Sequence, residues 1–426
     1  MQRKKIHIVG IGGIGLSSLA QLLLEQGHEI SGCDRSDSIV VENLRKKGIE
    51  INIGHGASHV TDDIDEVIYS DALPVDSEER VIAKQKNINS LSYFEALGEI
   101  ANEYKLIAIS GTHGKTTTTA MAIDLMEEAN LDPIGVVGSL RAKTKSNFRS
   151  GKGEWFVVEA DEYMRHFLQF KPNILIITNI DSDHLDYYKN IDDIKNAFSE
   201  LVSKVPENGY IICDTDDSNV KDVITNAKAK IIDYKKYIAP ELKVPGEHNR
   251  KNASAVMALG SVLSIDEKVT RKALMGFAGT WRRFEYKGET KKGVIVYDDY
   301  AHHPKEIEAT LQGAREIFPD KKITVVFQPH LFSRTKLLLE DFANALSKAD
   351  YIVLADIYAA REKDDGSISS LDLVNKIKEK NQFVWHVPNF DTITDEINKS
   401  VQAGDVIITM GAGDIYKVGE RLTSVT

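Results

Sequence analysis

The sequence has few cysteines, no long apolar run and no excess of positive charge. Cys33 and Cys213 are the only cysteines, so neither a disulfide framework nor a cysteine-based metal site is predicted. No apolar run approaches the roughly 18 residues of a membrane helix, and the first residues lack the features of a signal peptide. The formal net charge of −11 argues against general binding to nucleic acid. We therefore predict a cytoplasmic α/β protein that binds neither membranes nor nucleic acids.

The stretch at residues 105–119, KLIAISGTHGKTTTT, carries the most specific chemistry. A short apolar run predicts a buried strand, and a glycine loop and the start of a helix follow it. Backbone N–H groups of such a loop bind phosphate, the lysine adds a charge, and the next hydroxyl can bind Mg²⁺. Ile109 replaces the first glycine of the general phosphate-loop motif, but the strand–loop–helix context still favours phosphate over an ordinary glycine turn. The predicted nucleotide-binding residues are Gly111, Thr112, His113, Gly114, Lys115, Thr116 and Thr117.

A second glycine loop follows the first predicted strand of the chain. Gly10, Gly12 and Gly15 form the pattern G-x-G-x-x-G before an amphipathic helix, and Asp34 ends the next predicted strand. Glycines permit a tight turn and close approach to phosphate, and an acid about 20 residues later binds a ribose hydroxyl. The pattern predicts a mononucleotide-binding unit, and taken alone it fits NAD as well as any other nucleotide. Two such loops in one chain predict two nucleotide ligands.

Two further apolar strands end in residues that can bind metal. Glu159 ends the strand in WFVVEADE, and His184 follows the strand in ILIITNIDSDHLDYY. Carboxyl ends of strands gather at the ligand crevice of open α/β sheets, so both residues are expected beside the phosphate loop in a Mg²⁺ site. Mg²⁺ prefers oxygen ligands, and from spacing alone a helix-capping or core role for His184 is an equal alternative. Asn249, in a later loop that runs into a helix, is a candidate for contact with a nucleotide base.

The last third of the chain alternates five apolar strands with helical stretches, which predicts a further parallel sheet. His302 and His330 stand near two of its strand ends, although the HHP sequence could instead cap a helix that begins at Pro304. The predicted fold is therefore α/β with three domains. These are a Rossmann-like N-terminal domain at 1–100, a P-loop ATPase-like central domain at 101–290 and a Rossmann-like C-terminal domain with a parallel sheet at 291–426.

Several motifs, taken in order, resemble one enzyme family. GTHGKTTTT, EADE, TNIDSDHLD, GEHNRKNA, GTWRRFE and DDYAHHPKEIEATL together resemble the Mur ligase family. Its members are ATP-dependent amino-acid ligases of peptidoglycan precursor synthesis. HIVGIGGIGLSSLA, FQPHLFSRT and ITMGAGDI are most similar to the branch that joins L-alanine to UDP-N-acetylmuramate. The resemblance covers essentially the whole chain, and the ordered set is far more specific than any single motif.

The resemblance implies roles that the spacing leaves open. It implies that the first domain holds UDP-N-acetylmuramate rather than NAD, and that the third domain closes over the other two. The implied Mg²⁺ ligands are Thr116, Glu159 and His184. The implied ATP contacts outside the phosphate loop are Asn249 and Arg283. The implied substrate residues are Gly12, Gly13, Gly15, Asp34, Asn147, Arg149, His302, His330 and Arg334, the last two near the amino-acid carboxylate.

The sequence departs from the family pattern at three places. Tyr163 to His166 follow EADE where many alanine-adding members continue with Ser-Asp or Tyr-Asp. Leu331 replaces an arginine that many relatives have after the histidine, so carboxylate binding is expected to depend on Arg334. Ser199 stands where several other branches have a carbamylated lysine, which is consistent with the alanine-adding branch, and nearby Lys195 is better explained as a solvated helix residue.

The implied reaction converts ATP, UDP-N-acetylmuramate and L-alanine into ADP, phosphate and an amide through an acyl phosphate. Lys115, Glu159, His184 and Arg334 are the predicted catalytic residues, and ATP and Mg²⁺ the predicted cofactors. One alternative is the recycling ligase of the same family, which attaches a preformed tripeptide to the same sugar nucleotide. Another is an NAD-dependent oxidoreductase. A third is a non-catalytic nucleotide-binding subunit, which the intact catalytic set argues against. A monomer or a homodimer is expected.

Overall fold

A computed structural model describes residues 3–185, 187–360 and 362–424, so that Asp186, in the predicted strand end before Tyr187, lies outside the described residues. The chain forms two compact units. The first runs to residue 241 and includes residues 251–277, and the second comprises residues 242–250 and the chain from residue 278 onward. Within these described ranges, every helix is too short or too polar to cross a membrane.

The first sheet is a five-stranded parallel sheet in the order β3-β2-β1-β4-β5. Its strands are β1 (Lys5–Val9), β2 (Glu29–Asp34), β3 (Glu50–Ile53), β4 (Glu66–Tyr69) and β5 (Asn89–Ser92). Its helices are α1 (Ile14–Glu25), α2 (Ile39–Lys46), α3 (Glu78–Gln85) and α4 (Tyr93–Ala101), with a 3-10 turn at Ala57–His59. The strand order reverses between β1 and β4, and ligands of open α/β sheets bind at such a switch point. The first glycine loop follows β1 at this position.

The second sheet has seven strands in the order β12-β11-β10-β6-β9-β7-β8. The strands are β6 (Lys105–Ser110), β7 (Ile134–Arg141), β8 (Ser146–Arg149), β9 (Trp155–Glu159), β10 (Ile174–Ile177), β11 (Tyr210–Cys213) and β12 (Lys230–Asp233). The helices are α5 (Lys115–Glu128), α6 (Ile191–Ser203), α7 (Ser218–Ile224), α8 (Glu247–Val262) and α9 (Glu267–Gly276), with 3-10 segments at Tyr163–Gln169 and Tyr234–Lys236. All pairs are parallel except β7 with β8. Because β6 lies between β9 and β10, three predicted site segments follow adjacent strands.

Helix α5 follows the phosphate loop and is buried on all sides from Thr116 to Met126. It packs against the sheet and against α9. Its threonines are compatible with this burial because their hydroxyls find acceptors within the helix. Thr118 donates to the Gly114 carbonyl and Thr119 to the Lys115 carbonyl, each at 2.9 Å. The TTTT run therefore forms a rigid start to the helix rather than a solvated face.

The third sheet has six strands in the order β13-β14-β18-β15-β16-β17. The strands are β13 (Glu285–Glu289), β14 (Ile295–Asp299), β15 (Ile323–Phe327), β16 (Tyr351–Leu354), β17 (Val384–His386) and β18 (Val406–Met410). The helices are α10 (Pro304–Ile317), α11 (Phe332–Leu337), α12 (Leu339–Leu346), α13 (Ser370–Lys378), α14 (Phe390–Ser400) and α15 (Tyr416–Thr423). Apolar clusters cover both faces of the sheet.

The five strands predicted in the last third of the chain are confirmed as β14 to β18, and so is the three-sheet α/β fold. Strand β13 was not predicted, because EYKGE is polar and lies at an exposed edge, where it pairs antiparallel with β14. The predicted boundary between residues 290 and 291 falls between these two paired strands. The third sheet therefore begins before that boundary.

Candidate active site

The phosphate loop is held open by its two glycines. Gly111 has a φ angle of 130° and Gly114 one of 86°, a region that residues with a side chain rarely adopt. A Cβ atom on Gly111 would lie 2.1 Å from the Thr178 hydroxyl oxygen. A Cβ atom on Gly114 would lie 2.6 Å from Oδ1 of Asn252, a buried residue that the sequence analysis did not single out. Both positions therefore require glycine.

Residues after β10 fix the shape of the loop through hydrogen bonds. The Asn179 side chain accepts from the His113 N–H at 3.0 Å and donates to the His113 carbonyl at 2.9 Å. The Thr112 hydroxyl accepts from the Asp181 N–H at 2.8 Å. Thr117 lies in the first turn of α5 and is buried. The loop is therefore preorganised, which lowers the entropy lost when a phosphate is bound.

The Lys115 ammonium lies on the loop and contacts a carboxylate that the sequence analysis did not single out. Nζ donates to the Gly111 carbonyl at 2.7 Å and to both Glu162 oxygens at 2.7 and 3.0 Å. Both side chains are almost completely buried. Burial alone lowers the pKa of Lys115, but the charges of Glu162 and Asp161 outweigh it and raise that pKa above the usual value. The lysine is therefore charged and held at the phosphate loop.

Thr116 and Glu159, both predicted metal ligands, are in direct contact. The Thr116 hydroxyl donates to Glu159 Oε1 at 2.8 Å, and the Gly138 N–H donates to Oε2 at 2.7 Å. The contact arises because β6 and β9 are neighbours, so that the loop after one strand meets the end of the other. A hydroxyl and a carboxylate at the start of a phosphate-binding helix are ligands that suit Mg²⁺.

His184 lies at the same end of the sheet but has a different acidic neighbour. Its Nε2 atom is 3.8 Å from Glu162 Oε1. Ligand atoms of Asp161, Glu162 and His184 all lie within 4.8 Å of one another. The His184 ring packs against Tyr163 at a centroid distance of 4.7 Å, and its backbone has a φ angle of 53°. The side chain is 23% exposed and lies beside the carboxylates of Asp161 and Glu162, so a role as metal ligand stays a prediction.

The predicted sugar-nucleotide residues of the first sheet shape one loop. Asp34 Oδ2 accepts from the Gly12 N–H at 2.8 Å, and Oδ1 accepts from the Ser36 N–H at 3.2 Å. Asp34 therefore holds the glycine loop, and contact with a ribose stays a prediction. A Cβ atom on Gly15 would lie 2.6 Å from the Tyr93 ring. Gly13 precedes α1, whose free N–H groups can face an anion.

Asn147 and Arg149 stand on the same strand, β8, but contact different parts of the unit. The Asn147 amide donates to the Ser17 hydroxyl at 3.0 Å and also to the Ile14 carbonyl, so it lies at the first turn of α1. Arg149 pairs with Glu127 at 3.0 Å and with Asp132 at 2.6 Å. Asn147 is thus placed beside the glycine loop, whereas Arg149 has evident structural partners and its role toward substrate stays a prediction.

The second unit brings together the residues predicted to bind the amino acid. Arg334 Nη1 lies 3.3 Å from His330 Nδ1, and the His302 and His330 rings are 5.8 Å apart. His330 also stacks on Tyr358 at 5.7 Å. Leu331 is buried with a φ angle of 71°. Such strained backbone costs about 1–3 kcal/mol and clusters at functional sites, so the geometry supports a binding role for the turn between β15 and α11.

The remaining predicted residues of this unit have mixed surroundings. Asn249 is buried and donates to the Pro245 carbonyl at 2.6 Å, so contact with a base stays a prediction. Arg283 lies 3.8 Å from Glu306 and above the Tyr300 ring. Its neighbour Arg282 is the buried one, with a 2.8 Å bond to Asp298 and bonds to two glycine carbonyls.

The HHP motif does cap a helix, because the His303 side chain accepts from the Lys305 N–H at the start of α10.

Comparison with known protein families matches three stretches of the chain to domains of the Mur ligase family. Residues 5–105 match the family description "Mur ligase family, catalytic domain", residues 109–240 match "Mur ligase middle domain", and residues 282–413 match "Mur ligase, glutamate ligase domain". These matched ranges include both glycine loops, Arg283 and His330. The matched ranges do not test the exact domain limits, so the limits at 1–100, 101–290 and 291–426 stay predictions.

Individual relatives cover the chain almost completely. A UDP-N-acetylmuramate–L-alanine ligase of Clostridium kluyveri is 42% identical over 99% of this chain and 98% of its own length. One of Caldanaerobacter subterraneus is 42% identical over 98% and 97%. The crystal structure of a UDP-N-acetylmuramate–alanine ligase from Thermotoga maritima has a TM-score of 0.84 at 29% identity, over 99% and 98% of the two chains. A murein peptide ligase from Psychrobacter arcticus has a TM-score of 0.74 at 24% identity, which shows a shared fold.

Proposed function

Because the chain belongs to the Mur ligase family, we propose that it joins L-alanine to the carboxylate of UDP-N-acetylmuramate, with conversion of ATP to ADP and phosphate, in peptidoglycan precursor synthesis. The observation that carries this proposal is the full-length 42% identity to ligases of that name. The preformed phosphate loop and the paired His330 and Arg334 support it, since the reaction needs a nucleotide site and a carboxylate site.

In the first step, the sugar carboxylate attacks the γ-phosphorus of ATP, and ADP leaves. This converts a poor acyl donor into an acyl phosphate, whose phosphate group is a good leaving group. Lys115 lies on the loop that would hold the phosphates, and its positive charge offsets the negative charge of the transferring group. Glu162 accepts a 2.7 Å hydrogen bond from the ammonium, which keeps the ammonium charged, and this bond would open when the ammonium binds the nucleotide phosphates.

The donor set at the start of α5 fits a magnesium ion. Thr116 and Glu159 supply a hydroxyl and a carboxylate 2.8 Å apart, and Asp161, Glu162 and His184 supply further ligand atoms in the same unit. When bound with ATP, Mg²⁺ supplies charge neutralisation to the phosphates. The Glu159 carboxylate is held at both oxygens, by the Thr116 hydroxyl at Oε1 and by the Gly138 N–H at Oε2, so its position beside the phosphate loop is fixed.

In the second step, the amine of alanine attacks the acyl carbon, and phosphate leaves from a tetrahedral intermediate. The amine loses one proton as the amide forms. Arg334 presents a planar guanidinium that matches a carboxylate with two parallel hydrogen bonds. His330 lies 3.3 Å from that guanidinium and limits its orientations. We therefore assign the alanine carboxylate to Arg334, with His330 and His302 beside it.

The rival functions have less support. The recycling ligase that adds a tripeptide shares the fold, but among solved structures the murein peptide ligase from Psychrobacter arcticus has a TM-score of 0.74, against 0.84 for the alanine ligase from Thermotoga maritima. The match of residues 5–105 to the Mur ligase family argues against an NAD-dependent oxidoreductase. We propose a cytoplasmic location, since ATP and sugar nucleotides are cytoplasmic substrates, and a monomer or homodimer.

The first prediction concerns the reaction itself. Purified protein should release phosphate from ATP only when UDP-N-acetylmuramate and L-alanine are both present. Phosphate release is measured with each substrate omitted in turn and with the tripeptide in place of alanine. Equal phosphate release without the sugar nucleotide would contradict the proposal, and faster turnover with the tripeptide would assign the recycling reaction instead.

The second prediction concerns capture of alanine. Arg334→Ala should lower kcat/KM for alanine by about 30- to 160-fold, because unpairing a bound carboxylate costs roughly 2–3 kcal/mol. Formation of the acyl phosphate, followed by reductive trapping, should be retained. Lys336→Ala is the matched control, since it removes an exposed cation from the same short helix. A wild-type KM for alanine in Arg334→Ala, or loss of acyl-phosphate formation, would show that Arg334 has another role.

A further inference from the structure

A cluster of histidine, cysteine and glutamate side chains lies in the first sheet, outside the site described above. Cys33 belongs to β2, His55 follows β3, His59 ends the 3-10 turn and Glu79 belongs to α3. Glu79 is 0% exposed although it carries a carboxylate. A carboxylate without solvent is normally paired or bound to a metal ion, because burying an isolated charge is very costly.

Four distances within the cluster are close to those between the ligands of a tetrahedral metal ion. Cys33 Sγ is 3.4 Å from Glu79 Oε1 and 3.7 Å from His55 Nδ1, and His55 Nδ1 is 3.1 Å from Glu79 Oε1. His59 Nδ1 lies 3.7 Å from the same Glu79 oxygen. Bonds of about 2.0–2.3 Å to tetrahedral Zn²⁺ separate neighbouring ligand atoms by roughly 3.3–3.7 Å. Ligand atoms of Cys33, His55 and Glu79 all lie within 4.8 Å of one another, and so do those of His7, Cys33 and His59.

Glu79 Oε1 also accepts from the Gly56 N–H at 2.8 Å, but hydrogen bonds among the described residues leave other buried atoms of this cluster without a partner. Glu79 Oε2 and His59 Nδ1 are buried, and no described residue gives either atom a hydrogen bond. The same is true of Nε2 of His7, a buried histidine on β1 whose ring lies 6.2 Å from that of His59. Buried polar atoms in folded proteins almost always have a partner. Three such atoms, on side chains that are grouped with Cys33, therefore point to a ligand.

We propose that Cys33, His55, His59 and Glu79 form a binding site for one divalent transition-metal ion, with Zn²⁺ as the best-matched ion. A thiolate, imidazole nitrogens and a carboxylate are the ligands that Zn²⁺ prefers, whereas Mg²⁺ prefers oxygen alone. On binding, the Cys33 thiol transfers its proton to solvent and its sulfur forms the bond to the metal. The thiolate and the Glu79 carboxylate then balance the two positive charges, which makes the buried site electrically neutral.

The site would act on the loop that is proposed to hold the sugar nucleotide. The Cys33 carbonyl accepts from the N–H groups of Gly10 at 2.8 Å and Ile11 at 3.1 Å. The next residue, Asp34, accepts from the Gly12 N–H. A metal ion bound by Cys33 would therefore fix the end of β2 that holds the glycine loop. Burial and the Glu79 charge raise the pKa of the Cys33 thiol, so without metal this position holds a neutral thiol.

Cobalt binding tests the proposal on the full chain. Co²⁺ replaces Zn²⁺ with similar geometry, and a thiolate ligand gives it a charge-transfer absorption that oxygen and nitrogen ligands do not give. Chelator-treated protein should bind one Co²⁺ per chain with this absorption, and added Zn²⁺ should remove it. Cys213→Ser, which changes the only other cysteine, is the matched control and should behave as wild type. Cys33→Ser should lose the absorption.

A second variant covers the case in which Cys33→Ser does not fold. His55 is more exposed than Cys33 and Glu79, so His55→Ala should keep the fold. It should weaken Co²⁺ binding by at least about tenfold, since even groups outside the ligand shell contribute 10- to 100-fold to affinity. Absence of thiolate absorption in the wild type, its loss in Cys213→Ser, or wild-type affinity in His55→Ala would overturn the proposal. These readouts do not depend on the ligase reaction, so they separate this site from the proposed function.

Discussion

Lys115→Ala should lower the rate of both chemical steps by at least about 10³-fold, the scale at which a cation acts on a transferring phosphoryl group. The structure places the ammonium at the phosphate loop, where it donates to the Gly111 carbonyl at 2.7 Å. The two bonds to Glu162 keep it charged in a buried position. Alanine removes the charge and leaves the Glu162 carboxylate without its cation, which further repels the nucleotide. The loss corresponds to about 4 kcal/mol of transition-state stabilisation.

The measurement is acyl-phosphate formation, trapped with a reductant, together with overall phosphate release. Both should fall in Lys115→Ala, whereas Arg334→Ala should affect mainly the second. Lys195→Ala is the matched control, because Lys195 of α6 pairs with Asp192 of the same helix and Asp222 of α7 and should leave both rates unchanged. If Lys115→Ala forms acyl phosphate at the wild-type rate while remaining folded, the loop does not hold the phosphates as proposed.

The sequence was most informative where chemistry depends on local order. The phosphate loop, the strand before it and the helix after it were predicted because glycine, lysine and threonine occur next to one another in the chain. The nucleotide loop at Gly10, Gly12 and Gly15 was found for the same reason. Strand ends were located because apolar runs stop at Glu159 and before His184. Parallel β-strands then place such ends at one edge of a sheet.

The sequence was less informative where partners come from distant parts of the chain. Glu162 was quoted in a motif but not assigned, because its pairing with Lys115 depends on the turn after β9. Asn252 contacts Gly114 through packing that the sequence does not show. Asp34 was predicted to bind a ribose, which stays a prediction, but the bonds of both its oxygens to backbone N–H groups were not expected. A side chain's partner is set by its rotamer and its neighbours, which periodicity does not determine.

The cluster around Cys33 also consists of side chains from distant parts of the chain, and the sequence did not indicate that they lie together. A cysteine-based metal site was not expected, because only two cysteines occur and neither lies in a C-x-x-C pattern. Cys33, His55, His59 and Glu79 come from β2, the loop after β3, a 3-10 turn and α3. Their proximity follows from the parallel pairing of β2 with β3 and from the packing of α3 against that turn. The ligand set could be found only after the fold was known.

Glu159→Gln should lower turnover by about 10³-fold at moderate Mg²⁺, because it replaces a charged metal ligand whose charge stabilisation is worth roughly 4 kcal/mol. The fold should be retained, since the glutamine carbonyl can still accept the 2.8 Å hydrogen bond from Thr116 and only the exposed Gly138 N–H loses its protein acceptor. The Mg²⁺ concentration for half-maximal rate should rise. The measurement is phosphate release as a function of Mg²⁺ concentration, with thermal unfolding as the check of the fold.

Two further variants test which acidic residue binds the metal ion together with His184. The sequence resemblance assigns Glu159 to the metal, whereas the structure groups His184 with Asp161 and Glu162. If Glu159 and Thr116 hold the ion, Asp161→Asn should cost less than about tenfold, a loss under about 1.4 kcal/mol, and His184→Ala should shift the Mg²⁺ dependence in the same direction as Glu159→Gln. A Glu159→Gln variant with wild-type Mg²⁺ dependence, beside an Asp161→Asn variant that has lost it, would move the metal site to the group around His184 and leave Glu159 as a structural acceptor for Thr116 and Gly138.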